Sequence, residues 1–147
     1  MRAVLQRVKN AAVNIDGKLC GSIGGGLLVL LGVEEGDKES DADYIVDKCI
    51  NLRIFEDGDG KMNLSVLDVG GDIMVVSQFT LLADLKKGRR PSFIDAAKPE
   101  KANELYELAV GKFIKSGLKV STGCFQANME ISLINKGPVT IILDSRR

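Results

Sequence analysis

The run from Met129 to Leu143 most narrows the folds open to this chain, because it is strand-like on both sides of a Gly-Pro pair. Met129-Glu130-Ile131-Ser132-Leu133-Ile134 alternates apolar and polar residues, and Val139-Thr140-Ile141-Ile142-Leu143 is rich in β-branched ones. Each segment therefore suits a pleated sheet. Between them stands Asn135-Lys136-Gly137-Pro138. Pro138 has no N–H to give to a ladder, so ordinary pairing should stop there. A plain turn is one explanation. The other is a special conformer with a use, including a cis peptide, which proline tolerates far better than other residues do.

At 147 residues with 45% hydrophobic content, the chain is expected to form a single domain over 1–147, large enough to bury a core without staples. Cys20, Cys49 and Cys124 are far apart and odd in number, which fits neither a disulfide framework nor a zinc site and points to a reducing, cytoplasmic setting. No apolar run approaches the ~18 residues of a membrane span, and the apolar start is cut short by charge at Arg7, so neither a span nor a signal peptide is expected. Twenty basic and twenty acidic side chains cancel. A global positive field for gripping nucleic acid is thereby excluded, and DNA is not expected as a partner; any RNA contact must be local. The chain has no histidine, which removes Ser-His-Asp and Cys-His catalysis, His-ligated metals and a histidine base. No metal or cofactor is expected.

The remaining pattern predicts an α/β fold. Ala3–Val8 and the alternating Ala11, Val13 and Ile15 read as strand, Asp16-Gly17 as a hairpin turn, and Leu19–Ile23 as the return. Leu27–Val33 is an unbroken apolar run that suits a central strand buried on both faces. Ala42, Ile45, Val46, Cys49 and Ile50 recur at helical spacing, predicting a helix over 40–52 with Ser40 as its N-cap. Asp57-Gly58-Asp59-Gly60 is a turn; it lacks the ligand pattern of a calcium loop. Residues 72–79 form the next strand, and a second helix runs from Pro99 to about Ser116 with Gly117 as its stop. Strands follow at 118–122, 128–134 and 139–143. The expected architecture is a mixed, strongly bent, barrel-like sheet covered by two main helices.

Three constellations carry candidate chemistry. Ser77-Gln78-Phe79-Thr80 turns polar at the end of a buried strand, where ligands of α/β sheets bind and where backbone N–H groups can converge on a developing oxyanion. A strand simply surfacing into a turn is the bland alternative, and a nucleophilic Ser77 or Thr80 would need a base that the residues nearby do not supply. Lys86, Lys87, Arg89 and Arg90 make a basic loop with Phe93 close behind, able to neutralise phosphates, or else a solvated surface loop. Phe125 and Met129 offer apolar, adaptable surface for a pocket or for the core.

Ser77-Gln78-Phe79-Thr80, Gly88-Arg89-Arg90-Pro91-Ser92-Phe93 and Asn135-Lys136-Gly137-Pro138-Val139-Thr140, in this order and spacing, resemble the D-aminoacyl-tRNA deacylase family. The likeness extends to Met1–Val8, Gly26–Val33 and Asn51–Asp57, and so to essentially the whole chain. It implies a homodimeric hydrolase that cleaves the ester between a D-amino acid, or glycine as on glycyl-tRNA(Ala), and the terminal ribose of tRNA. It further implies that Gly137-Pro138 is cis and enters the active site of the partner subunit as a chiral gate. Ser77, Gln78, Phe79 and Thr80 would line the site, with Phe125 and Met129 at the adenosine and pocket positions, and Lys86, Lys87, Arg89 and Arg90 as candidate tRNA contacts. An L side chain would collide with such a gate whereas glycine has nothing to exclude. Without histidine, catalysis would rest on positioning, backbone N–H groups around Gln78 to Thr80, and help from the vicinal ribose hydroxyl. Two rivals stand beside this reading: a general esterase or amidohydrolase with Ser77 or Thr80 as nucleophile, and a non-catalytic RNA-binding dimer.

Overall fold

Strand β1 (Arg2–Ile15) organises the sheet, because its 14 residues are long enough to serve three partners. In the computed structural model, which describes residues 1–147, its first half pairs antiparallel with β3 (Gly26–Gly32) and its second half with β2 (Lys18–Ile23). The Asp16-Gly17 turn joins β1 to β2, both residues taking positive φ, which the sequence Asp-Gly favours. On its other edge β1 pairs along its length with β8 (Met129–Asp144). Beyond β3 the sheet turns parallel, adding β6 (Asp72–Ser77) and then β7 (Val120–Thr122). The sheet curls far enough to bring β2 alongside β7, making a nearly closed barrel.

Strands β3 and β6 are buried on both faces, and their two-residue period divides them between two cores. Leu27, Val29, Leu31, Ile73 and Val75 point to the helix-covered side, where they meet Ile45 and Cys49 of α1 (Glu39–Asn51) and Leu105, Ala109 and Phe113 of α3 (Pro99–Lys115). Leu28, Met74 and Val76 point into the curl, against Val8, Val13 and Ile23. Each such side chain contributes roughly 1.5–3 kcal/mol by leaving water. A continuous apolar run is thus what this position demands, as the sequence predicts.

Four details differ from the sequence expectation. Helix α1 starts one residue earlier, with Lys38 and not Ser40 as N-cap; the Asp41 carboxylate accepts the Lys38 N–H at 2.8 Å. The segment between α1 and β6 carries structure of its own: a hairpin of β4 (Phe55–Glu56) and β5 (Met62–Leu64) around the predicted turn, then one turn of helix, α2 (Val66–Val69), capped by Ser65. Strand β6 stops at Ser77, and Phe79–Leu82 is a 3₁₀ turn. Finally, the Gly-Pro pair does not divide β8 into two strands. The strand runs through, but its pairing jumps from Asn135 opposite Val8 to Thr140 opposite Gln6, so Lys136 to Val139 bulge out against the single residue Arg7.

Candidate active site

The carboxyl ends of the parallel strands open a cleft of about 730 Å³, as expected for strand ends in an α/β sheet. Val33 follows β3 and Ser77 ends β6, and both reach its wall. Gln78 and Phe79 continue that wall into the 3₁₀ turn, while the Phe125–Met129 link between β7 and β8 forms the facing side. Met129 packs close to the backbone of Gly123: a Cβ there would stand 2.5 Å from its sulfur. Two elements that sequence reasoning did not connect with the site complete it. The segment Ala96-Ala97-Lys98-Pro99 and Ala102 bring in the start of α3, and Phe93 stands at the foot of the basic loop. Backbone bonds from Ala97 N–H to Val33 O at 3.0 Å and from Glu35 N–H to Asp95 O at 2.8 Å pin that segment to the sheet end.

Of the sequence candidates, Ser77, Gln78, Phe79, Phe125 and Met129 therefore share one cleft. Thr80 lies beside the wall, and its hydroxyl is joined by a short contact to the Gln78 side-chain amide. Phe79, 54% exposed, meets Phe93 edge to face with ring centroids 5.0 Å apart, a favoured aromatic geometry. Behind the facing wall Tyr106 packs near Phe125 and donates its hydroxyl to Val75 O at 2.9 Å. Burial pushes this phenol well above its ordinary range, helped by nearby Glu107, so it remains a neutral donor.

The backbone at the wall is selective about its free donors. Gln78 N–H is committed to Leu31 O at 2.8 Å, which removes it from the group expected to hold an oxyanion. Phe79 and Thr80 open the 3₁₀ turn ahead of its first bond, Leu81 N–H to Gln78 O at 3.3 Å, and no loop or side-chain acceptor takes their N–H groups, as is usual for the first donors of a helical turn. Two adjacent unpaired donors at the mouth of an apolar cleft suit a developing oxyanion. Ser77 and Thr80 have no basic side chain bonded to them, so neither is set up as an activated nucleophile.

The other candidates lie off this wall. Lys86, Lys87, Arg89 and Arg90 are exposed on a loop closed at its neck by the paired Asp84 and Ser92 backbones, at 2.8 and 3.0 Å. Gly137 and Pro138 are exposed on the β8 bulge, joined by a cis peptide, and do not line the cleft of their own chain. Arg7 braces the bulge from beneath. It is 5% exposed; its Nε donates to Lys136 O at 2.9 Å and its NH1 to Ile54 O at 2.7 Å, while Glu56 lies 3.8 Å away. Each charge-assisted bond of this kind is worth ~1.5–3 kcal/mol, and a buried guanidinium without them would be strongly unfavourable. The signal for Arg7 was present in the sequence, since it takes the inward phase set by Ala3 and Leu5.

Comparison with known proteins gives one consistent result. The family model described as D-Tyr-tRNA(Tyr) deacylase matches residues 4–144. The D-aminoacyl-tRNA deacylase of Natranaerobius thermophilus is 58% identical over 148 residues, covering 100% of this chain and 99% of the relative. That of Aquifex aeolicus is 60% identical over 146 residues, covering 99% of each. Among solved structures, a c-Myc DNA unwinding element binding protein superposes with a TM-score of 0.93 at 39% identity over 98% of both chains. A probable eukaryotic D-amino acid tRNA deacylase does so with a TM-score of 0.81 at 16% identity over 97% of both, a likeness of fold alone.

Proposed function

Because the chain belongs to the D-Tyr-tRNA(Tyr) deacylase family, we propose that it hydrolyses the ester between a D-amino acid and the terminal ribose of tRNA while sparing L-aminoacyl-tRNA. Glycine, with no side chain to reject, is a substrate in the same reading, as on glycyl-tRNA(Ala). The observation that carries the proposal is the cleft itself: largely apolar, with no carboxylate or histidine on its wall, and bordered by the two unpaired N–H groups of Phe79 and Thr80. An aminoacyl ester is already activated, so such a site needs to position it and stabilise charge. The carbonyl oxygen accepts from Phe79 and Thr80 N–H, water adds to the carbonyl carbon while its proton passes through the vicinal ribose hydroxyl to the departing ribose oxygen, and the acyl C–O bond breaks to free the amino acid and restore the ribose hydroxyl. Ser77, Gln78, Phe125 and Met129 hold the aminoacyl-adenosine end.

Chiral selection is assigned to Gly137 and Pro138 of a second copy of the chain, which approach the α-carbon and leave no room for an L side chain. Three features support this: the pair is exposed, it stands away from its own cleft, and Arg7 holds the bulge in place. The homodimer it requires is supported by β8, whose outer edge has no partner strand and whose outward face exposes Ile134 and Ile142. Lys86, Lys87, Arg89 and Arg90 are assigned to the tRNA backbone, and the compartment to the cytoplasm. No helix is long and apolar enough to cross a membrane.

The test is hydrolysis of D-tyrosyl-, L-tyrosyl- and glycyl-tRNA by the full chain. Cleavage of the D and glycyl esters with the L ester spared is expected. Equal cleavage of D and L forms would sink chiral exclusion, and tRNA retention without cleavage would favour the RNA-binding rival. Cleavage of small D-amino acid esters without RNA would favour the esterase with a Ser77 or Thr80 nucleophile.

A further inference from the structure

The wall of the cleft holds a single charged side chain, Lys98. The neighbouring acids Asp95 and Glu100 are not on it, and Lys98 enters no ion pair. Its backbone is not free to drift: Ala97 is bonded to Val33 O, and Lys98 O accepts the Ala102 N–H at 2.9 Å as α3 begins. The residue is exposed and shares the cleft with an apolar lining that includes Phe93, Phe125 and Met129. A solitary cation in an otherwise neutral cleft is placed for an anion of the ligand, and within the deacylase reading, on which this inference rests, the ligand has one to offer. Adenine is neutral and the aminoacyl group, through its α-amino group, is neutral or cationic, whereas the 5′-phosphate of the terminal nucleotide carries a full negative charge.

We propose that Lys98 is a positioning residue for the substrate, its Nζ pairing with the phosphate that links the terminal nucleotide to the rest of the tRNA strand. The contact orders the single-stranded end across the rim so that the ester lies at Phe79 and Thr80. It is local, separate from the loop at 86–90, and consistent with a chain of zero net charge. Lys98 touches no reacting atom, so its loss should act on KM with little change in kcat.

The test compares D-tyrosyl-tRNA with D-tyrosyl-adenosine, which has the same ester and base but no 5′-phosphate. For Lys98→Ala, kcat/KM on the tRNA should fall roughly two- to fivefold further than on the adenosine ester, the range of an exposed ion pair. The slope of log KM against log salt should shrink by about 0.7, as for the loss of one phosphate contact on a single strand. Lys98→Arg should retain most of the wild-type value. Equal losses on the two esters, or no loss on the tRNA, would overturn the inference by returning Lys98 to shaping the rim or to mere solubility. A wild-type protein that cleaves neither ester overturns the deacylase reading and this inference with it.

Discussion

Phe79 is the residue on which catalysis and binding can be separated. Its N–H is one of two unpaired donors, while its ring packs against Phe93. Proline suits this position in two ways: Phe79 opens a 3₁₀ turn, and the preceding Gln78, with φ −144 and ψ 83, lies outside the helical region that a following proline disfavours. Phe79→Pro therefore deletes the donor together with the ring, whereas Phe79→Ala deletes the ring and keeps the N–H, so the difference between the two reports the donor. Loss of one oxyanion donor costs ~10²–10³ in kcat. Single-turnover assays with D-tyrosyl-tRNA should show a fall of that size for Phe79→Pro and a much smaller one in kcat for Phe79→Ala; equal effects would place the role in the ring. Gly137 is the counterpart on the proposed selective side. Its φ is +129, and a Cβ would stand 2.7 Å from the Arg7 guanidinium and 2.9 Å from Val139 Cγ2. Gly137→Ala must therefore shift the bulge.

At the scale of elements, the basic loop is a candidate because of what holds it. Its neck is closed by Asp84 and Ser92, and the chain returns through Phe93 on the cleft wall, so four exposed cations stand next to the site. Reversing Arg89 and Arg90 to glutamate should weaken tRNA binding and flatten its salt dependence, while binding unchanged at low salt would make the loop a solvated surface. How far such elements can be read from sequence depends on whether they carry a period. The two-faced strand at Leu27 and the helices over α1 and α3 announce themselves, because burial imposes their patterns. The hairpin at Phe55–Leu64 does not, since strands of two and three residues are too short to have one. Lys38 is no signal for a helix start, because the bond that caps α1 comes from Asp41. Ser77 to Phe79 stand out by turning polar after a buried strand. The wall from Ala96 to Pro99 is legible only once Ala97 is seen bonded to Val33, a contact across 64 residues.

For the molecule as a whole, one chain folds into a barrel-like sheet with a cleft at one place and the Gly137-Pro138 bulge at another. The central claim is that these two parts meet between chains. Dimers mixed from a Phe79→Pro chain and a Gly137→Ala chain separate the alternatives. The only competent cleft in such a dimer belongs to the Gly137→Ala chain, and if sites are completed across subunits it receives an intact Gly137-Pro138 from the other. The measurement is the ratio of D- to L-tyrosyl-tRNA hydrolysis by isolated mixed dimers, set against Gly137→Ala homodimers with relaxed selectivity. The account predicts that the mixed dimers recover wild-type preference for the D ester. A ratio that stays at the Gly137→Ala homodimer value would contradict it.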